Sequence, residues 1–174
     1  AIVRRVATEA PGIRCHTELV SAATLARLEH GEAHLGLCLD NARVYQARAF
    51  PSALHRRPLR AVKWVAAVDR DHPHVHATPT LEAFLALPQA FGVPGTHRGP
   101  AEELVRLLLG VDLNVQLTVP SLLHLPLVLR GTPFVATLPE RVATHFATTL
   151  PLRIFDLPFE PPPSQELLLW HERF

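Results

Sequence analysis

The sequence predicts an α/β fold with mostly parallel sheet, on three observations. Apolar runs of strand length alternate with amphipathic segments along the whole chain, the pattern of strand–helix–strand units. Hydroxyl residues Ser21, Thr80 and Ser121 precede helical patterns, and Gly31, Gly110 and Gly131 follow them, so starts and stops are both marked. The run over 33–39 is nearly continuous in apolar residues, as expected of a parallel strand covered on both faces.

Residues 1–10 place Ile2, Val3, Val6 and Ala10 at helical spacing, and Pro11-Gly12 ends that helix. Residues 13–19 read as a strand, 22–30 as a helix with Leu25 and Leu28 inward, and 33–39 as the next strand. This is a β-α-β unit, for which a right-handed crossover is expected. Residues 40–58 are less regular, with an edge strand over 44–50. One long strand over 59–68 begins polar and becomes apolar at Trp64, and a loop rich in His and Pro follows over 69–80. A short helix over 81–87, a strand over 89–93 and a Gly/Pro loop over 94–100 come next. The helix over 101–109 carries Glu102 and Glu103 in its first turn, where they complement the helix dipole. Strands over 113–119 and 134–138 flank a helix over 121–130; a helix over 140–150 follows, then strands over 152–157 and 167–170.

A length of 174 residues supports one good core or two small lobes. With 17 basic and 16 acidic residues the net charge is 17 − 16 = +1, which is no nucleic-acid footprint. Arg4-Arg5 and Arg56-Arg57 read as solvated faces. Cys15 and Cys38 lie in apolar runs and read as buried free thiols, with a disulfide left open. No signal peptide or membrane-spanning run is present, so the expectation is a soluble cytoplasmic protein. The alternate histidines of Asp71-His72-Pro73-His74-Val75-His76 have no partner pair at zinc spacing, and no metal or other cofactor is expected. Hydrolase, Walker, dinucleotide and zinc-protease motifs are all missing from the sequence, so it reads as no enzyme.

Several segments, in this order and spacing, resemble the effector-binding domain of LysR-type transcriptional regulators. They are Leu28-Glu29-His30-Gly31-Glu32-Ala33-His34-Leu35-Gly36, Asp71-His72-Pro73, Thr80-Leu81-Glu82-Ala83-Phe84-Leu85-Ala86-Leu87-Pro88, Pro120-Ser121, Arg130-Gly131-Thr132 and Val135-Ala136-Thr137-Leu138-Pro139. The ending Leu168-Leu169-Trp170-His171-Glu172-Arg173-Phe174 resembles the branch that senses aromatic acids and flavonoids. The resemblance implies a two-lobed, type II periplasmic-binding-protein-like fold with two hinge strands. Its first lobe would be 1–62 plus 153–174, truncated at both ends, and its second 63–152. It also implies an N-terminal helix-turn-helix that this chain does not contain, with promoter DNA gripped only through that missing part. A homodimer or homotetramer is implied too, with the helix over 1–10 a candidate interface.

Two-lobed folds hold small ligands in the cleft between helix N-termini. Three loops have suitable chemistry. Ser21 and Ala22 offer a hydroxyl and helix-start N–H groups for a carboxylate, and Ser21 falls at an effector-contact position by the resemblance. Gly95 lets backbone approach a ligand, Thr96 and His97 offer hydrogen bonds, and Arg98 offers a fork for an acid. The family pattern Gly-Thr-x-His-Gly is here Gly-Thr-His-Arg-Gly, so the histidine is displaced by one and an arginine stands in its place. Pro120, Ser121 and Leu122 form the third loop; nearby His124 reads as a core histidine and Phe134 as core packing. The expectation is a sensor of a small anionic aromatic effector that controls transcription. The alternative is the solute-binding protein of a transporter.

Overall fold

The computed structural model describes residues 2–18, 23–41, 52–92, 105–106, 108–161 and 163–174. In order, α1 is Ile2–Glu9, α2 Thr24–His30, β1 Leu35–Asn41, β2 Leu54–Val62, β3 Trp64–Asp69, α3 Leu81–Ala86 and β4 Gln89–Gly92. Then come β5 Val115–Val119, a 3-10 turn Leu122–His124, α4 Leu125–Leu129, β6 Val135–Pro139, α5 Glu140–Ala147, β7 Leu152–Asp156 and β8 Ser164–His171. Residues 105–106 and 108–109 are also helical. None of these helices is long and apolar enough to cross a membrane.

The strands form two sheets, β1-β8-β2 and β5-β4-β6-β3-β7. The predicted alternation of helix and strand holds, but among the described residues only β4–β5 and β4–β6 are parallel. The pairings of β8 with β1 and β2, and of β3 with β6 and β7, are antiparallel. The reason lies in connectivity: β3 enters the five-stranded sheet directly from the other sheet and runs against β4, β5, β6 and β7, and β8 returns to the first sheet against β1 and β2.

The single strand expected over 59–68 is two strands. β2 ends at Val62, β3 starts at Trp64, and they belong to different sheets, with Lys63 between them. The strand over 152–157, expected to return to the first lobe, pairs with β3 instead, so the second passage runs from Asp156 to Ser164. Residues 13–18 are not a strand; Ile13 is 62% exposed, and no described strand pairs with this segment. β1 is not covered on both faces: Leu35 and Leu37 are 62% and 48% exposed, whereas Gly36 is buried under Leu28 of α2. Helix α2 ends as expected at Gly31, whose φ of 76° suits glycine. The edge strand expected over 44–50 lies outside the described residues. No disulfide joins Cys15 and Cys38; Cys15 is exposed and Cys38 half-buried, so the expectation of two buried thiols fails for the first and is met only in part by the second.

The core lies on both faces of the five-stranded sheet. On one face Val65, Ala67, Ala90, Ala136 and Leu138 meet Leu125 and Leu129 of α4 and Ala143 of α5. On the other, Ala66, Val68 and Val135 meet Phe84 of α3 and Phe155 of β7. Thr80 caps α3 by accepting the Ala83 N–H at 3.2 Å, as its sequence position predicts.

Candidate functional site

Strands β4, β5 and β6 run parallel, so their carboxyl ends lie on one edge of the sheet. From β4 the chain passes to β5 on one side and then to β6 on the other. Val105, in the first connection, packs with Phe91, while Leu125 and Leu129, in the second, pack on the opposite face of the sheet. This reversal makes the end of β4 a topological switch point, where open α/β sheets form a crevice.

Pro120-Ser121-Leu122 sits at this edge, because Val119 is paired with Gly92 at the ends of β5 and β4. Ser121 is extended, with φ −151° and ψ 148°, and its Oγ accepts the Leu123 N–H at 3.3 Å. It therefore caps a 3-10 turn that leads into α4, rather than one continuous helix over 121–130. Pro126 lies in the first turn of α4, where its missing N–H costs nothing. His124 is exposed, which corrects its reading as a core histidine: it sits on the outer side of the 3-10 turn. Phe134 packs against the core as expected.

Gly92 was not singled out from sequence, yet it shapes this edge. A Cβ there would lie 2.6 Å from Leu122 N, 2.8 Å from Leu122 Cα and 2.9 Å from the Ser121 carbonyl carbon. The Ser121-Leu122 backbone thus rests directly on the end of β4 in space that only glycine leaves. The sequence signal was a glycine closing an apolar strand. Lys63 and Glu140 occupy the same edge, since Trp64 pairs with Pro139. Lys63 Nζ meets Glu140 Oε1 at 3.0 Å and Asp156 Oδ1 at 2.9 Å, and the Glu140 N–H donates to the Lys63 carbonyl at 2.8 Å. These carboxylates, Asp156 first, raise the lysine pKa. Ser21, Ala22, Gly95, Thr96, His97 and Arg98 lie outside the described residues, so of the predicted contacts only Pro120, Ser121 and Leu122 are placed.

The opposite edge of the sheet holds an open cavity of about 480 Å³ between the Asp69–Pro73 turn and the Arg130–Pro133 turn. Its centre is structural. The Asp69 carboxylate, 6% exposed, accepts the Gly131 N–H at 2.7 Å and the Asp71 N–H at 2.8 Å. These two bonds, Gly131 first, hold its pKa below the ordinary value against the opposing effect of burial, with the Arg130 charge helping. His72 is buried; its Nδ1 accepts the His74 N–H at 3.1 Å, so Nε2 carries the proton and donates to Pro133 O at 2.9 Å. Both ring nitrogens thus serve the backbone. The histidine-rich segment is a turn lock joining two loops. The expected cleft lies at the other end of the strands.

A family profile described as the LysR substrate binding domain matches residues 1–174. The chain belongs to this family. Among curated relatives, the HTH-type transcriptional regulator SyrM 2 of Sinorhizobium fredii is 31% identical over 172 residues, covering 99% of this chain and 48% of that protein. Nodulation protein D of Rhizobium leguminosarum bv. trifolii is 28% identical over 170 residues, covering 97% of this chain and 51% of that protein. The chain therefore spans about half the length of these relatives. The regulatory domain of MexT, a transcriptional activator in Pseudomonas aeruginosa, is 25% identical with a TM-score of 0.78, covering 99% of this chain and 80% of that one. The probable transcriptional regulator PA0477 from the same organism has a TM-score of 0.86 at 24% identity, covering 99% and 56% of the two chains. The fold is that of LysR regulatory domains, the type II periplasmic-binding-protein-like arrangement, and the domain is a ligand-binding module of a regulator family, not an enzyme. The transporter alternative finds no support, since SyrM 2 and MexT are a transcriptional regulator and a transcriptional activator.

Proposed function

We propose that this LysR domain senses a small anionic aromatic effector held between two lobes, the first 1–62 plus the end of the chain and the second beginning at 63, with the return to the first lobe moved from 153 to the passage before Ser164 because β7 pairs with β3. The observation that carries the reading is the Pro120-Ser121-Leu122 turn seated on Gly92 at the switch-point edge. There Ser121 caps the turn through a lone pair and keeps its own O–H as a donor for a carboxylate. Ser21 and Ala22 would approach from the first lobe. Gly95, Thr96, His97 and Arg98 would close over the ligand, with Arg98 pairing to the acid group. Binding shifts the lobe angle only by the difference in affinity for two arrangements.

In the parent protein the domain would act as a homodimer or homotetramer in the cytoplasm, and promoter DNA would be bound by an N-terminal helix-turn-helix. The similarity to SyrM 2, an HTH-type transcriptional regulator, supports this reading. The test is calorimetric titration of the 174-residue chain with a panel of benzoates and hydroxycinnamates. Ser121→Ala and Arg98→Ala should each weaken the best binder about tenfold, the loss of a charge-assisted hydrogen bond. Unchanged affinity in both variants refutes the site.

A further inference from the structure

The two sheets are joined by two passages, Lys63 between β2 and β3, and residues 157–163 between β7 and β8. The first residue beyond each passage is Trp64 and Ser164, respectively. The Trp64 indole N–H donates to Ser164 Oγ at 3.1 Å, and both residues are buried, 7% and 3% exposed. In the ladders Ser164 faces Val62 on one side and Asn41 on the other, while Trp64 faces Pro139. One side-chain bond therefore ties the first strand after one passage to the first strand after the other.

Around it the contacts are apolar. Trp64, Phe91 and Val105 pack with Leu39 and Val62 from the three-stranded sheet and with Leu157 and Phe159 from the second passage. Such contacts tolerate sliding, because dispersion depends weakly on direction. A hydrogen bond does not; its donor angle and length are confined, and a buried donor that loses its partner pays a desolvation cost. The Lys63 contacts with Glu140 and Asp156 lie in solvent, with side chains 57%, 45% and 75% exposed, and are screened. The Trp64–Ser164 bond, by contrast, is both directional and buried.

We propose that Trp64 and Ser164 are a positioning pair that sets the angle between the two sheets in the effector-free domain. Its regulatory consequence rests on the effector reading above, since an effector between the lobes would work with or against this bond. Its test uses no effector, so either idea can fail without the other.

Spin labels at Arg57→Cys on β2 and Thr144→Cys on α5, both exposed, report the angle as a distance distribution once Cys15→Ser and Cys38→Ala remove the native thiols. Trp64→Phe keeps an aromatic ring in the cluster and removes the donor, and Ser164→Ala removes the acceptor. Each should raise the population outside the main distance about tenfold, as expected for one buried hydrogen bond, and the double variant should add nothing further. Raising salt to about 1 M should leave the distribution of the unsubstituted pair unchanged, whereas a hinge set by Lys63 would shift. Unchanged distributions in both single variants, additive broadening, or a salt-dependent distance would overturn the assignment. A measurement without pivot substitutions guards against variants that fold poorly. With Trp170→Phe as the only change, the remaining indole proton should exchange with solvent slowly, and exchange at the rate of a free indole overturns the proposal.

Discussion

Replacing Gly92 by alanine places a methyl group 2.6 Å from Leu122 N, with two further backbone atoms at 2.8 and 2.9 Å. Ordinary contact begins near 3.4 Å, so the Ser121-Leu122 turn must retreat by about 0.8 Å, or β4 must bend. Neither side is free to yield. β4 is paired on both edges, and the turn leads into α4, whose Leu125 and Leu129 are fully buried. Overpacking costs about 1–3 kcal/mol, and three clashing backbone atoms put this case near 3 kcal/mol. For a chain of this size that corresponds to a fall in melting temperature of about 6–12 °C. The assay is reversible thermal unfolding followed by circular dichroism, paired with urea titration to check that the slope is unchanged. Gly12→Ala is the control, because a Cβ there meets nothing within 4 Å. A Gly92→Ala protein within about 0.5 kcal/mol of the parent would refute the close approach, and with it the seating of Ser121 on β4.

Other perturbations follow the same logic. Asp69→Asn leaves one acceptor where two backbone N–H groups now bond a charge, and should cost about 2–3 kcal/mol in urea unfolding at neutral pH. Because the Asp69 pKa is lowered by folding, its contribution is fully present above the unfolded carboxylate value and disappears as pH falls through the lower folded value. Urea midpoints measured against pH should therefore fall less steeply on the acid side in Asp69→Asn than in the parent. Leu125→Ala removes a fully buried side chain between the sheet and α4 and should cost about 2–5 kcal/mol by the same titration. Thr80→Ala removes the cap of α3 and should cost about 1 kcal/mol, with no change in the cooperativity of melting.

Much of the fold was legible because it is local. Thr80 and Ser121 are caps, Gly31 and Gly131 take positive φ at turns, and apolar runs over β3, β4 and β6 are buried on both faces of the sheet. Each of these depends on a few neighbouring residues and elementary backbone geometry. Local reading failed where a segment had to find a distant partner. Residues 13–18 have the composition of a strand and pair with no described strand, and Leu35 and Leu37 are as apolar as the core yet lie exposed on β1. The candidate site was legible at Ser121, whose hydroxyl signals a cap, but not at Gly92, whose need for a bare Cα comes from a turn about thirty residues away.

By itself, then, the sequence determined the α/β class, most element positions and the LysR family, since periodicity, caps and motif order are written along the chain. Tertiary structure decided the rest. It broke the run over 59–68 at Lys63, turned the strand over 152–156 into a partner of β3, and brought Trp64 to Ser164 across a hundred residues. It also turned Asp69 and His72 from part of a loop rich in His and Pro into a lock on the 131–133 turn. Which strand pairs with which, and which buried donor meets which acceptor, depends on how the whole chain satisfies its backbone and side-chain hydrogen bonds at once, and no local window of residues contains that condition.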